Sequence, residues 1–361
     1  MTADDATFDR LAAAFRRFAA YETRENLSPL YERLSLVVAE DRDLLELAAH
    51  AMPGQPPPNM LFAAVQGVLT EHTDDPLAAW YPGLANGRAP DGDPGRAFRA
   101  FALGHRATIV ALLESRMVQT NEVRRSALLF PAFVEVQREA GGRPLALIEI
   151  GPSAGLNLNF DRYRYRYGSF ETGDADSPVL LDCEPEGAMP PVQSGFPAVF
   201  SRMGIDLRPI DARNEKDVRW LRALVWPEHD DRRALLDRAL AVAREYPPRL
   251  LRGDTFELLP GEIRDAAPGT AVCLFATFVL NQFTPGMLER LAATLAALSH
   301  EREIWMVVLG ASEFIRPDRA TPESWTSLWL LRFQDGVREV RHLARCNPHG
   351  RRITWGAAAP A

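Results

Sequence analysis

The stretch Pro144–Gly168, PLALIEIGPSAGLNLNFDRYRYRYG, decides how the rest of the chain is read. It opens on LALIEI, a short continuous apolar run of the kind found in a strand buried on both faces. A turn follows in which Gly151 and Gly155 supply backbone freedom. Directly after it comes a dense set of Asn, Asp, Arg and Tyr. In an open α/β sheet the ligand crevice lies beyond the carboxyl ends of the strands. Polar groups that follow a buried strand this closely are expected to face that crevice. A helix opening near Leu156 would aim its first N–H groups at a bound ligand, with Asn157, Asn159, Asp161 and Arg162 on or near its first turns.

Outward from this stretch the pattern divides at about Gly142. Before it the chain reads as helices and loops. Phe8, Leu11, Phe15 and Phe18 fall at helical spacing. Ser28 and Pro29 mark an N-cap and first helical position. Further helices are expected at Leu61–Thr70, Phe98–Glu114 and Asn121–Ala140. After Gly142 strands alternate with helices, which argues for a parallel sheet covered on both faces. The strand candidates are VFSRMGIDLRPID, RLLRGDTFELL, TAVCLFATFVL and EIWMVVLGA. Thr284 and Pro285 open the clearest helix, with Leu288, Leu291, Leu295 and Leu298 on one face. Asp335-Gly336 between two apolar-rich runs signals a hairpin, so the sheet is expected to finish with antiparallel strands. The boundaries are therefore a helical region over 1–142 and an α/β domain over 143–361. An insertion at about 168–198, Pro-rich and long, is expected to cover one end of the sheet.

Composition narrows the function. The net charge is −7 and Arg is scattered rather than clustered. No basic stripe for nucleic acid is present, and no apolar run approaches the roughly 20 residues that span a bilayer. The acidic N-terminus, with Asp4, Asp5 and Asp9, does not read as a signal peptide. Cys183, Cys273 and Cys346 are odd in number and far apart, neither a disulfide framework nor a zinc site. No two of the seven histidines have metal-ligand spacing on one helix. A cytoplasmic protein with a small-molecule partner is expected, with no metal; its oligomeric state is open.

The pattern Glu149-x-Gly151-x-Ser153-x-Gly155 after the first strand resembles the glycine-rich loop of Rossmann-like S-adenosylmethionine-dependent methyltransferases. Ser153 stands where that loop has its middle glycine. The resemblance implies S-adenosylmethionine as cofactor, with Glu149, Gly151, Ser153, Gly155 and Asn157 around it. Asp206 or Asp211, after the second strand, would meet the ribose. Asp254, in Gly253-Asp254 after the third strand, would meet the adenine, and Thr277 would end the fourth strand over the cofactor. Nearly the whole chain is similar to a bacterial family of uncharacterised proteins, the domain of unknown function numbered two-three-three-two. The similarity rests on VQTNEV, EIGPSAGLNLNFDRYRYRYG, GIDLRPID, LVWPEH and LRGD. That family pattern carries a His before the fourth-strand Thr; here Ala276 precedes Thr277, so no role for such a His transfers.

Each feature has a plainer reading. The glycines can serve a turn with no ligand, and Asp254 can be a helix cap. Tyr163, Tyr165 and Tyr167 alternate with Arg162, Arg164 and Arg166. They form either a surface segment with packed Tyr and solvated Arg or a substrate wall in which Arg fixes an anion. Gln119, Thr120, Asn121 and Glu122 either cap a helix or reach the pocket. For methyl transfer to a hydroxyl or amine, Asp161, Glu122 or Tyr163 would be the base, and Asn121, Asn159, Arg162 and Tyr165 would hold the substrate. Two competitors remain. One is a protein of the same fold that binds an adenosyl ligand without chemistry. The other is a serine hydrolase, since GPSAG is a literal Gly-x-Ser-x-Gly, with His342 or His349 as its histidine.

Overall fold

Proline and acidic caps set the helix starts in the first part of the chain, because the first N–H groups of a helix have no internal partner. The computed structural model describes residues 3–25, 27–119, 121–192, 195–310, 312–315 and 325–357. The chain packs as two compact units, Met1–Thr120 with Asn214–Ala234, and Asn121–Arg213 with Leu235–Ala361. The first unit is helical: α1 (Ala3–Ala20), α2 (Glu22–Glu25), α3 (Pro29–Glu40), α4 (Arg42–Ala48), α5 (Pro57–Leu69), α6 (Pro94–Gly104) and α7 (Arg106–Ser115). The run that opens at Ser28 and Pro29 and continues helical in pattern to His50 is split at Asp41, which caps α4, and the expected helix Phe98–Glu114 is split at His105. Ser28 occupies the N-cap of α3, as expected, but its side chain makes no cap bond. Its hydroxyl donates to Glu228 Oε2 at 2.6 Å, and Glu228 Oε1 accepts from the Leu30 N–H at 3.0 Å. The cap of α3 thus comes from a residue distant in sequence.

In the second unit α8 (Ser126–Glu139) precedes the strands; a 3-10 turn, Val123–Arg125, stands where the sequence reading began that helix. The strands are β1 (Leu145–Ile150), β2 (Arg164–Tyr167), β3 (Phe170–Gly173), β4 (Leu180–Pro185), β5 (Val199–Asp206), β6 (Arg249–Arg252), β7 (Ala271–Thr277), β8 (Ile304–Leu309), β9 (Thr326–Gln334), β10 (Val337–Cys346) and β11 (Arg352–Trp355). They form one mixed sheet in the order β3-β2-β4-β11-β10-β9-β8-β7-β1-β5-β6. Neighbours from β6 to β8 are parallel, while β9 is antiparallel to β8, and β10 to β9. Asp335 and Gly336 close the β9–β10 hairpin with φ of 51° and 79°, as a two-residue turn of this type requires.

All residues of β1 and β8, and all but the last of β7, are buried, because apolar side chains on both faces meet cover. After α9 (Glu215–Ala223) and α10 (Asp230–Glu245) come α11 (Thr255–Asp265) and α12 (Pro285–Leu298); one face of the sheet packs on α11 and α12, through Ile148, Ile150, Leu274, Ile263 and Leu291. On the other, Phe133 of α8 meets Phe275 of β7 and Phe160. The segment expected as an insertion over one end of the sheet carries strands of the sheet itself. Its residues supply β3 and β4, which extend the sheet beside β11 and β2. From β1 the chain steps to β5 and β6 on one side and to β7 and β8 on the other. The carboxyl ends of β1 and β7 therefore flank a topological switch point, where open α/β sheets bind ligands. Among the described residues no helix is long and apolar enough to cross a membrane.

Candidate functional site at the carboxyl edge of β1

The turn after β1 is built from three positive φ values: Gly151 at 67°, Ser153 at 52° and Gly155 at 69°. The glycines meet protein, not open space. A Cβ on Gly155 would lie 2.7 Å from Pro248 Cγ, and one on Gly151 would lie 2.5 Å from Val279 Cγ2. Their role is close packing in a left-handed backbone. Ser153 carries the strain that a side chain meets in this region. It is held on every side: its N–H donates to Asp206 Oδ2 at 2.9 Å, its carbonyl accepts from Ile210 N at 3.0 Å, and its hydroxyl accepts from Asn121 Nδ2 at 2.6 Å. Asn121 Oδ1 also accepts from the Ala154 N–H at 3.3 Å. Among the described residues no histidine hydrogen-bonds Ser153. A second strained residue stands at the end of β7, where Phe278 has φ of 63°. Backbone strain of this kind gathers at ligand sites.

Glu149 lies on β1 between Gly204 of β5 and Phe275 of β7. It is 1% exposed, and among the described residues its Oε2 has no hydrogen-bond partner. Burial pushes its carboxyl up to about 8, Asn157 opposes this by hydrogen bonding, Asp206 reinforces it by like charge, and Arg125 opposes it. Asn157 is oriented in turn by the Ser126 hydroxyl, which donates to its Oδ1 at 2.9 Å. Arg125 is buried; its guanidinium lies 4.2 Å from the Phe278 ring centre, and its Nε donates to the Pro348 carbonyl at 3.1 Å. Glu122, also buried, has His349 Nδ1 at 3.4 Å from its Oε2 and accepts from the Arg124 N–H. The structure thus gathers Asn121, Glu122, Glu149, Ser153, Asn157 and Asp206 at one edge, with Thr277 half-buried at the end of β7. Arg125, Ser126, Phe278 and His349 join them; the sequence reading gave them no place there, His349 apart as a possible hydrolase histidine. Thr120 lies outside the described residues.

Other candidates lie elsewhere or are engaged. No α-helix follows the turn; Leu156–Arg162 is a 3-10 turn, too short for a helix-terminus anion site. Asp161 makes a two-pronged ion pair with Arg202, at 2.6 and 2.8 Å, so it is not a free base. Asn159 is fully buried and donates to the Tyr246 carbonyl at 3.0 Å. Arg162 stacks on the Tyr246 ring at 4.5 Å. Tyr163, Tyr165 and Tyr167 form no substrate wall. All three are fully buried and donate to the carbonyls of Leu156, Phe160 and Ala127 at 2.6, 2.6 and 2.7 Å. Burial pushes the Tyr163 hydroxyl far above its ordinary range, which removes it as a base near neutrality. Asp254 caps α11, accepting from Phe256 N at 2.7 Å. Asp211 is exposed and accepts from Arg213 N at 2.8 Å. It borders a cavity of about 300 Å³ with Ala154, Ile210, Arg213, Pro248 and Leu250. Among the described residues no three His, Cys, Asp or Glu side chains gather as a metal site.

Fold and site define an α/β protein with a mostly parallel sheet and a polar, strained edge at its switch point. Residues 12–355 match the profile of a family described as "Uncharacterized protein conserved in bacteria (DUF2332)", and the chain belongs to that family. No curated protein and no solved structure shows a significant match to it.

Proposed function

We propose that this chain has a Rossmann-like methyltransferase fold, binds S-adenosylmethionine at the carboxyl edge of β1 and β5, and transfers its methyl group to a small molecule. The observation that carries the reading is a convergence. The turn at 151–155, the carboxylate ending β5, and two strained non-glycine residues meet at the switch point of parallel strands in the order β6-β5-β1-β7-β8. Numbered among themselves these strands run 3-2-1-4-5, the order of doubly wound nucleotide-binding sheets.

The residues fit an adenosyl ligand. Asp206 accepts one backbone N–H on each oxygen, from Ser153 and Arg208. Each oxygen keeps a further lone pair for a ribose hydroxyl. The unpartnered Glu149 Oε2 fits a cationic group. When bound, the cofactor supplies a methyl group activated on a sulfonium. The chain's own part is to hold the reactants in line and exclude water. Of the three base candidates, Asp161 and Tyr163 are engaged, so Glu122 with His349 is the pair that takes a proton from the acceptor. A binding protein without chemistry is the second reading, supported by that same engagement of two of the three bases.

Thermal shift and calorimetric titration with S-adenosylmethionine, S-adenosylhomocysteine, NAD and an esterase-type inhibitor test the proposal. A ligand at 100 times its dissociation constant adds about 2.7 kcal/mol to stability, a rise of several degrees. A response to the adenosyl compounds alone is expected. Silence toward them, with covalent capture of Ser153 by the inhibitor, overturns the proposal in favour of the hydrolase.

A further inference from the structure

We infer that the cavity beside Ala154 is a second small-molecule site, and that it takes a compact zwitterion with an apolar body, the chemistry of a free α-amino acid. The inference stands without the adenosyl reading. The cavity holds about 300 Å³, at the lower end of the range for ligand pockets. All of its lining residues belong to the second unit. None of the residues gathered at the proposed adenosyl edge lines it; Ser153 adjoins it as the chain neighbour of Ala154.

The residue types decide what fits. Pro209, Pro247 and Pro248 line the cavity. Proline has a stiff ring and no N–H, so these walls offer apolar surface and no donor. Ala243 of α10 is buried against the space, and its single methyl leaves it open. The rim carries one charge of each sign. Asp211 and Arg213 both line the cavity and both are exposed. Their backbone is held in place. Asp211 Oδ1 accepts from the Arg213 N–H at 2.8 Å, and Arg244 Nε, near the end of α10, donates to the Ala212 carbonyl at 2.7 Å. Arg213 Nη2 donates to the Arg244 carbonyl at 3.0 Å. These bonds leave capacity for a ligand, since a carboxylate has about four acceptor sites and a guanidinium about five N–H donors. An ammonium suits Asp211, and a carboxylate suits the guanidinium fork of Arg213. A ligand with a single charge meets one attraction and one repulsion, and a neutral one makes neither pair. A zwitterion alone matches both.

The test is calorimetric titration and thermal shift of the full chain with leucine, valine and proline. Each is run beside the amine that lacks its carboxylate and the acid that lacks its ammonium. At least one amino acid should bind, and its two single-charge analogues should bind at least about tenfold more weakly. Asp211→Asn and Arg213→Gln change exposed side chains, so the fold should survive, and each should weaken binding of that amino acid about tenfold to about 100-fold. Ala243→Leu fills the cavity from α10 and should abolish binding; the two rim variants decide the matter even if this one folds poorly. Saturating S-adenosylmethionine should not displace the amino acid. Silence toward all three amino acids overturns the inference, as does equal binding of an amino acid and its analogues, or binding unchanged in both rim variants. Competitive displacement by S-adenosylmethionine overturns it too, because the cavity would then belong to the adenosyl site. Failure of S-adenosylmethionine to bind at all leaves this inference standing and sinks only the adenosyl reading.

Discussion

Replacing Glu149 by Gln should change how stability depends on pH. The carboxyl is fully buried and pushed up to about 8, from an ordinary value of 4.5. Between those two values the folded protein holds a proton that the unfolded chain has lost. Stability contributed by the protonated carboxyl is thus fully present below about pH 4.5 and is lost as pH rises toward about 8. Each pH unit in the window removes about 1.4 kcal/mol. The full window sets a ceiling of about 5 kcal/mol, and relaxation around the charged form brings the expected loss to about 2–4 kcal/mol. Gln has the same shape and can accept the Asn157 hydrogen bond but does not titrate. Urea unfolding of both proteins from about pH 5 to about pH 8.5 should show the wild type losing this amount relative to Glu149→Gln. Parallel profiles for the two proteins would refute the assignment of a buried acid.

Three further outcomes follow from the packing. Gly155→Ala should destabilise by about 1–3 kcal/mol in chemical denaturation, because the new methyl meets Pro248 in a left-handed backbone. Tyr167→Phe should cost about 1–3 kcal/mol by the same measurement: its hydroxyl donates to the Ala127 carbonyl, and Pro131, four residues on in α8, has no N–H to replace it. Ser153→Ala removes the acceptor of Asn121 and should weaken adenosyl binding roughly tenfold or less, measured by calorimetry; complete loss of an esterase activity in this variant would point to a nucleophile instead.

Strands β1, β7 and β8 were legible because each is a short, nearly continuous apolar run, the pattern of burial on both faces, whereas β3, β4 and β11 carry no such run and were not foreseen. Asp335-Gly336 and Thr284-Pro285 were legible because turn and cap chemistry is local. The segment after Gly155 misled for a physical reason. Leu156, Asn157, Leu158 and Asn159 are all buried, so this segment presents no polar face, and the chain enters β2 at Arg164, leaving room for a 3-10 turn but no helix. The Tyr–Arg run has period two because it is a strand with Tyr inward. What its hydroxyls bond to depends on neighbours that alternation cannot name. Asp161 read as a base because its partner, Arg202, lies 41 residues away on another strand. Arg125 carried no signal at all, and His349 stood out only as a possible hydrolase histidine: they enter the edge through the fold of Val123–Arg125 and of the β10–β11 connection.

Amide hydrogen exchange with and without saturating S-adenosylmethionine tests the central claim most directly. Binding at the proposed edge should slow exchange in the β1 turn, residues 150–157, and after β5, residues 206–211, while helix α12 keeps its rate. Unchanged exchange in both segments, or protection confined to another part of the chain, would contradict a ligand site at the carboxyl edge of β1.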